Sequence, residues 1–131
     1  MTDAAEQADV AQSELGGDAE LAAVLAAVES FTSLPFVRVG TAGPSNFQIG
    51  PGDLSAPADL WAVEPVGHSA TDFERGLMFA GEALKFSRAA TGFADFPYAV
   101  LREMFAKGRF GNVEEGFVYR IASAARVAAH N

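Results

Sequence analysis

The 131-residue chain contains no cysteine and only two histidines, His68 and His130. Disulfide staples, thiolate nucleophiles, zinc fingers and iron–sulfur clusters are therefore excluded. Two distant histidines among scattered carboxylates give no metal-ligand spacing, so no metal is expected. Neither Walker nor dinucleotide-binding glycine spacing occurs, and no cofactor is expected. Long apolar runs are also missing: nothing approaches the roughly 20 residues of a membrane span, and "MTDAAEQADVAQSELGG" has neither the basic nor the apolar region of a signal peptide. These absences predict a cytoplasmic, unanchored chain.

Basic residues are scarce where acids are plentiful. Residues 1–70 hold ten acids and one base, Arg38, whereas residues 71–131 hold seven acids and eight bases, so the net charge of -8 resides in the first half. Such a field disfavours phosphate backbones and anionic membranes, and favours a basic protein partner or simple solubility.

What is present is a large apolar fraction, 50%, with eleven phenylalanines, enough for one core in one domain. Residues 1–17 carry Asp3, Glu6, Asp9 and Glu14 with little apolar content beyond alanine, which predicts a flexible acidic tail preceding a single domain over 18–131. From Asp18, the residues Leu21, Val24, Leu25, Val28 and Phe31 fall at helical spacing and predict an amphipathic helix to about Thr32. Five of the six prolines and five of the thirteen glycines then crowd into residues 34–67, forbidding a long helix. Within that segment "FVRV" (36–39), "NFQI" (46–49) and "LWAV" (60–63) read as short strands, the first two pairing as a hairpin across "GTAGPS".

Three further helices follow. Thr71 and Glu74 predict a capping box at the start of the second, whose inner face would carry Phe73, Gly76, Leu77, Phe79, Ala80, Ala83, Leu84 and Phe86. The third is framed by Asp95, Pro97 and Gly108, with Val100, Leu101, Met104 and Phe105 inward. The fourth begins at Asn112, paired with Glu115, and buries Val113, Phe117, Val118, Ile121, Ala124 and Ala125. The expected fold is mainly α: about four helices around one core, with a small β-hairpin or short strands between the first and second.

The chemistry is thinner. "GRFGNVEEGFVYRIASAARVAAH" (108–130) has the outline of the second half of a helix-turn-helix, with Arg102, Lys107, Arg109, Arg120 and Arg126 as its basic residues. Its first turn, however, presents Glu114 and Glu115, which repel a polyanion and suit a helix N-terminus, so a nucleic-acid partner is disfavoured. The glycine-flanked bases Lys107 and Arg109 form a candidate anion contact. His68, close to Glu64, Ser69 and Asp72, imitates a catalytic triad, but its neighbours are local, and no catalytic residue is assigned. Phe47, Trp61, Phe93 and Phe96 lie in or beside the irregular parts. They either pin that segment to the helices or, with His68, form a docking surface. The functional expectation is a noncatalytic interaction or assembly module whose partner is a protein: a second copy, or a basic one. The alternatives are a nucleic-acid regulator using residues 102–126 and a small-molecule binder with a cavity near His68 and Trp61.

Overall fold

A computed structural model describes residue 19 and residues 21–50, 52–90 and 92–130. The tail expected over 1–17 lies outside the described residues. The first helix, α1, is described over residues 21–32. Three short strands follow, β1 (Arg38–Val39), β2 (Gln48–Ile49) and β3 (Ala56–Asp59), with a single 3-10 turn at Gly52–Leu54 before β3. Three long helices complete the chain: α2 (Ser69–Ala89), α3 (Phe96–Lys107) and α4 (Asn112–His130). The fold is mainly α, with a small antiparallel sheet between α1 and α2.

The sheet corrects the expected hairpin. β1 and β2 do not pair with each other; β3 lies between them and is antiparallel to both, in the order β1-β3-β2. Both edges of β3 are used, Ala58 N donating to the Phe47 carbonyl and Gly40 N to the Pro57 carbonyl. Pro57 is tolerated in this middle strand because it faces Gly40, just past the last residue of β1, where its missing amide costs no ladder bond. "LWAV", expected as a strand, is instead an extended belt: Ala62 N donates to the Phe36 carbonyl, and Leu60, Trp61 and Val63 are all buried.

Helices α2 and α4 form the spine. Gly76 faces Val113, and further along Gly81 faces Arg120, so the two helices run side by side in the same direction while α3 carries the chain back. A Cβ at Gly76 would overlap the Val113 carbonyl, and one at Gly116 would overlap the Phe73 carbonyl. With Ala80 and Ala83 also buried, the backbones approach more closely than larger side chains would permit. That close approach is why glycine is kept in two helix interiors, where it costs about 1 kcal/mol relative to alanine.

Two helix starts differ from expectation. α2 begins at Ser69 instead of Thr71, and His68 is its cap, Nδ1 accepting from Thr71 N at 3.3 Å. At α4 the carboxylate that reaches back belongs to Glu114, one residue earlier than expected, and accepts from Gly111 N at 2.8 Å. The inward face of α3 is shifted as well. Phe96, Val100 and Met104 are buried together with Glu103, whereas Phe105 is exposed. In α4, Val118 is exposed and Gly116 buried, because the crossing with α2 selects Val113, Gly116 and Phe117.

The core itself is aromatic. Phe31, Phe36, Trp61, Phe79, Phe86, Phe96 and Phe117 are buried and contact one another, for example Phe86 and Phe96 with ring centroids 4.9 Å apart and Trp61 and Phe117 at 5.2 Å. Edge-on and tilted arrangements dominate, as ring quadrupoles favour.

Candidate functional site

Residues 59–67, the end of β3 and the belt leading to α2, are the meeting point of Asp72, Lys107, Arg109 and Glu114. Trp61 has all three of its polar groups occupied. Its amide donates to Asp59 Oδ1 at 3.0 Å, its carbonyl accepts from Lys107 Nζ at 2.6 Å, and its indole Nε1 donates to Glu114 Oε2 at 2.7 Å. Lys107 also donates to Asp59 Oδ2 at 2.7 Å, and both members of that ion pair are mostly shielded from solvent. Arg109 reaches the Val63 carbonyl and Glu64 Oε1, the latter at 3.0 Å. The candidate anion contact is thereby neutralised from within: both cations clamp the belt, and their charge is met by Asp59 and Glu64.

Trp61 and Phe96 stand in the interior, each at 1% exposure, and Phe47 and Phe93 pack half-buried against the same core. Of the two readings of these aromatics, pinning the segment to the helices or docking, the packing corresponds to the first: Phe31 meets Phe47, Phe93 and Phe96 ring to ring. His68 alone of that set is exposed, where it caps α2. Beside it, Asp72 is buried and accepts from the amides of Val66 and Gly67 at 3.0 and 3.1 Å, and from Arg75. The Val66 amide, then that of Gly67 and the Arg75 guanidinium, hold the Asp72 carboxyl below its usual range against the opposing effect of burial. Asp72 thus fastens the end of the belt to the first turn of α2.

Glu103 escapes the sequence reading because the inner face of α3 expected from Val100, Leu101, Met104 and Phe105 is rotated toward Phe96 and Glu103, with Val100 and Met104 common to both. The signal was present: Phe96, Val100 and Met104 define a stripe on which Glu103 and Lys107 also fall. Its Oε2 accepts from Ser45 N at 3.1 Å, while Oε1 has no hydrogen-bond partner and lies against Gly43, where a Cβ would overlap it. The Ser45 hydroxyl is likewise buried without a partner.

The open surfaces lie elsewhere. On α1 the apolar stripe is only half covered: Phe31 is buried and Val28 partly so, but Leu21, Val24 and Leu25 are 45%, 38% and 51% exposed. Of the three, Val24 lines a groove of about 1280 Å³ between α1, β2 and the C-terminal half of α2, together with Val28, Leu34, Ile49, Phe86 and Phe93 among others. Among the described residues its charged lining side chains are Glu82 and Lys85. A second, smaller groove lies between α2 and α4. Arg102, Arg120 and Arg126, from the basic set, are exposed on α3 and α4. Among the described residues no helix is long and apolar enough to cross a membrane, and no group of three or more metal-ligating side chains converges. Comparisons with family models, curated proteins and solved structures gave no match.

Proposed function

We propose that this chain is a noncatalytic interaction and assembly module that associates with a second copy of itself through the α1 face. One observation carries the reading: three large apolar residues of a single helix, Leu21, Val24 and Leu25, stand exposed, and Val24 continues into an apolar groove. A second copy suits the groove beside Val24 because the charges among its described lining residues, Glu82 and Lys85, are opposite in sign and three residues apart on α2. The opposite signs let two copies meet about a two-fold axis without forcing like charges together.

Two observations weigh against the alternatives. A nucleic-acid regulator loses Lys107 and Arg109 to internal carboxylates. A small-molecule site at His68 and Trp61 loses both residues to the belt and the α2 cap. A cytosolic setting fits a chain that has no cysteine to bridge.

Light scattering behind size exclusion tests the reading. One chain is 13.7 kDa. The expected result is about twice that mass at concentrations on the order of 100 µM, returning to a single chain in the Val24→Asp, Leu25→Asp variant. A wild type that elutes at single-chain mass throughout that range overturns it. Both substituted side chains are exposed, so helical circular dichroism should be unchanged and loss of association is not confused with unfolding.

A further inference from the structure

The smaller groove, about 460 Å³ between α2 and α4, is lined by Lys85 and Arg88 from α2, Arg120 from α4, and otherwise by Gly81, Leu84, Ala89, Ala124 and Val127. Among the described residues no carboxylate lines it. The ion pairs among the described residues engage Arg75, Lys107 and Arg109, leaving these three cations without a partner there. Their placement is ordered. Gly81, Lys85 and Arg88 fall at i, i+4 and i+7 on α2 and share one face. A Cβ built at Gly81 would lie 3.8 Å from Arg120 Nη2, so the guanidinium from α4 rests at the Gly81 level of the same row. Three positive groups thus follow one another over about 10 Å of helix.

Helix energetics account for only part of this. Arg88 lies in the last turn of α2, where a cation interacts well with the helix dipole. Arg120 sits in the middle of α4, away from either terminus, and makes no hydrogen bond within the described residues while presenting five N–H donors to the groove. A row of cations is thus maintained on a protein whose net charge is -8.

We propose that this groove binds an extended acidic peptide segment of a partner protein, carboxylates at alternate residues pairing with Arg120, Lys85 and Arg88. Residues i and i+2 of an extended chain are separated by about 6.6 Å, against rises of about 6 Å from the Gly81 level to Lys85 and about 4.5 Å from Lys85 to Arg88, a difference that the long Lys and Arg side chains take up. The intervening side chains then meet Leu84, Ala89, Ala124 and Val127, so the ligand is acidic with apolar residues interleaved. Single-stranded nucleic acid fits less well, because no aromatic side chain among the described residues lines the groove to stack a base.

The test uses fluorescence anisotropy of a fluorescein-labelled hexapeptide of alternating Glu and Leu, titrated with the full-length chain in low salt. Saturable binding is expected, weakened at least about tenfold by Arg88→Glu with Arg120→Glu, and measurably by Arg120→Gln alone. Arg102→Glu makes the same charge change on an exposed part of α3 and should alter affinity by less than about twofold. A Gln and Leu hexapeptide should not bind. Failure of the wild type to bind, equal loss in Arg102→Glu, or tighter binding of a six-residue oligothymidylate than of the acidic peptide overturns the proposal. Circular dichroism of each variant separates loss of binding from loss of fold.

Discussion

The indole of Trp61 donates to Glu114 Oε2 at 2.7 Å, joining the belt to the first turn of α4 across 53 positions of sequence. Because Glu114 Oε1 at the same time accepts from Gly111 N, one carboxylate both closes the α4 N-terminus and satisfies a buried indole. Trp61→Phe keeps most of the ring volume but strands Glu114 Oε2, and should cost about 2 kcal/mol. Glu114→Ala removes both bonds and should cost about 3 kcal/mol. Urea titration measures each, and the double variant should fall short of additivity by about 1 kcal/mol, since the shared bond can be lost only once. Strict additivity would mean that the two residues are not coupled.

Asp72 makes stability depend on acid. Its folded-state carboxyl titrates below the ordinary value of about 3.9, held down by the Val66 and Gly67 amides and Arg75. A depressed carboxyl stabilises the fold above its unfolded value, and the benefit disappears as pH falls through the folded value. Wild type and Asp72→Asn should therefore differ most at neutral pH and converge below about pH 4. Thermal melts across pH 2.5–7 would show it, and a gap that stays constant over that range would remove Asp72 from the acid response.

The α2–α4 crossing offers a sharper contrast. Alanine normally improves on glycine within a helix by about 1 kcal/mol. At Gly76 and Gly116 the added methyl would strike the carbonyls of Val113 and Phe73, so the helices must separate. Each substitution should destabilise by about 2 kcal/mol in spite of its propensity. Gly81→Ala meets only Arg120 Nη2, at 3.8 Å, and should be neutral or stabilising by up to about 1 kcal/mol. Chemical denaturation of the three variants decides it, because propensity alone predicts the same sign for all.

Local signals explain which parts of this architecture were readable in advance. The start of α4 at Asn112, the framing of α3 by Asp95, Pro97 and Gly108, and the small-residue face of α2 all follow from caps and periodicity within one element. The strand partners did not, because pairing depends on how the chain folds back at Gly52–Leu54, which no spacing in "GTAGPS" encodes. The exposed stripe of α1 was invisible for a related reason: periodicity marks a face as apolar without saying that a neighbour covers it. Glu103 and Trp61 are the clearest cases at the site. A carboxylate on an inner face reads as solvent-facing, and an aromatic in a loop reads as available, until the remote partners Ser45 and Glu114 are in place.

Glu103 is held by one amide, with its second oxygen unpartnered in the interior. Burying a carboxylate is expensive unless its oxygens are satisfied. Glu103→Gln keeps an acceptor for Ser45 N and lowers the cost of burial, so it should raise stability, by about 1 kcal/mol. Glu103→Ala also removes the burial cost, but it leaves Ser45 N without an acceptor and opens a void beneath the Gly43–Ser45 loop; it should destabilise by about 2 kcal/mol. A Glu103→Gln variant less stable than wild type would show that the negative charge itself is required there.

Lys107 and Arg109, two residues apart, should behave differently despite their common role on the belt. Lys107 serves Asp59 and the Trp61 carbonyl in a shielded position, so Lys107→Ala leaves two acceptors without a donor and should cost about 2–3 kcal/mol. The Glu64 carboxylate paired with Arg109 is largely in solvent, which screens the attraction, and Arg109→Ala should cost no more than about 0.5–1 kcal/mol. Raising sodium chloride to 1 M should weaken the Arg109 contribution while leaving that of Lys107 nearly intact, because buried pairs are screened least. Urea midpoints for the two variants at low and high salt measure this, and equal costs with equal salt sensitivity would place both cations on the surface instead of in the clamp.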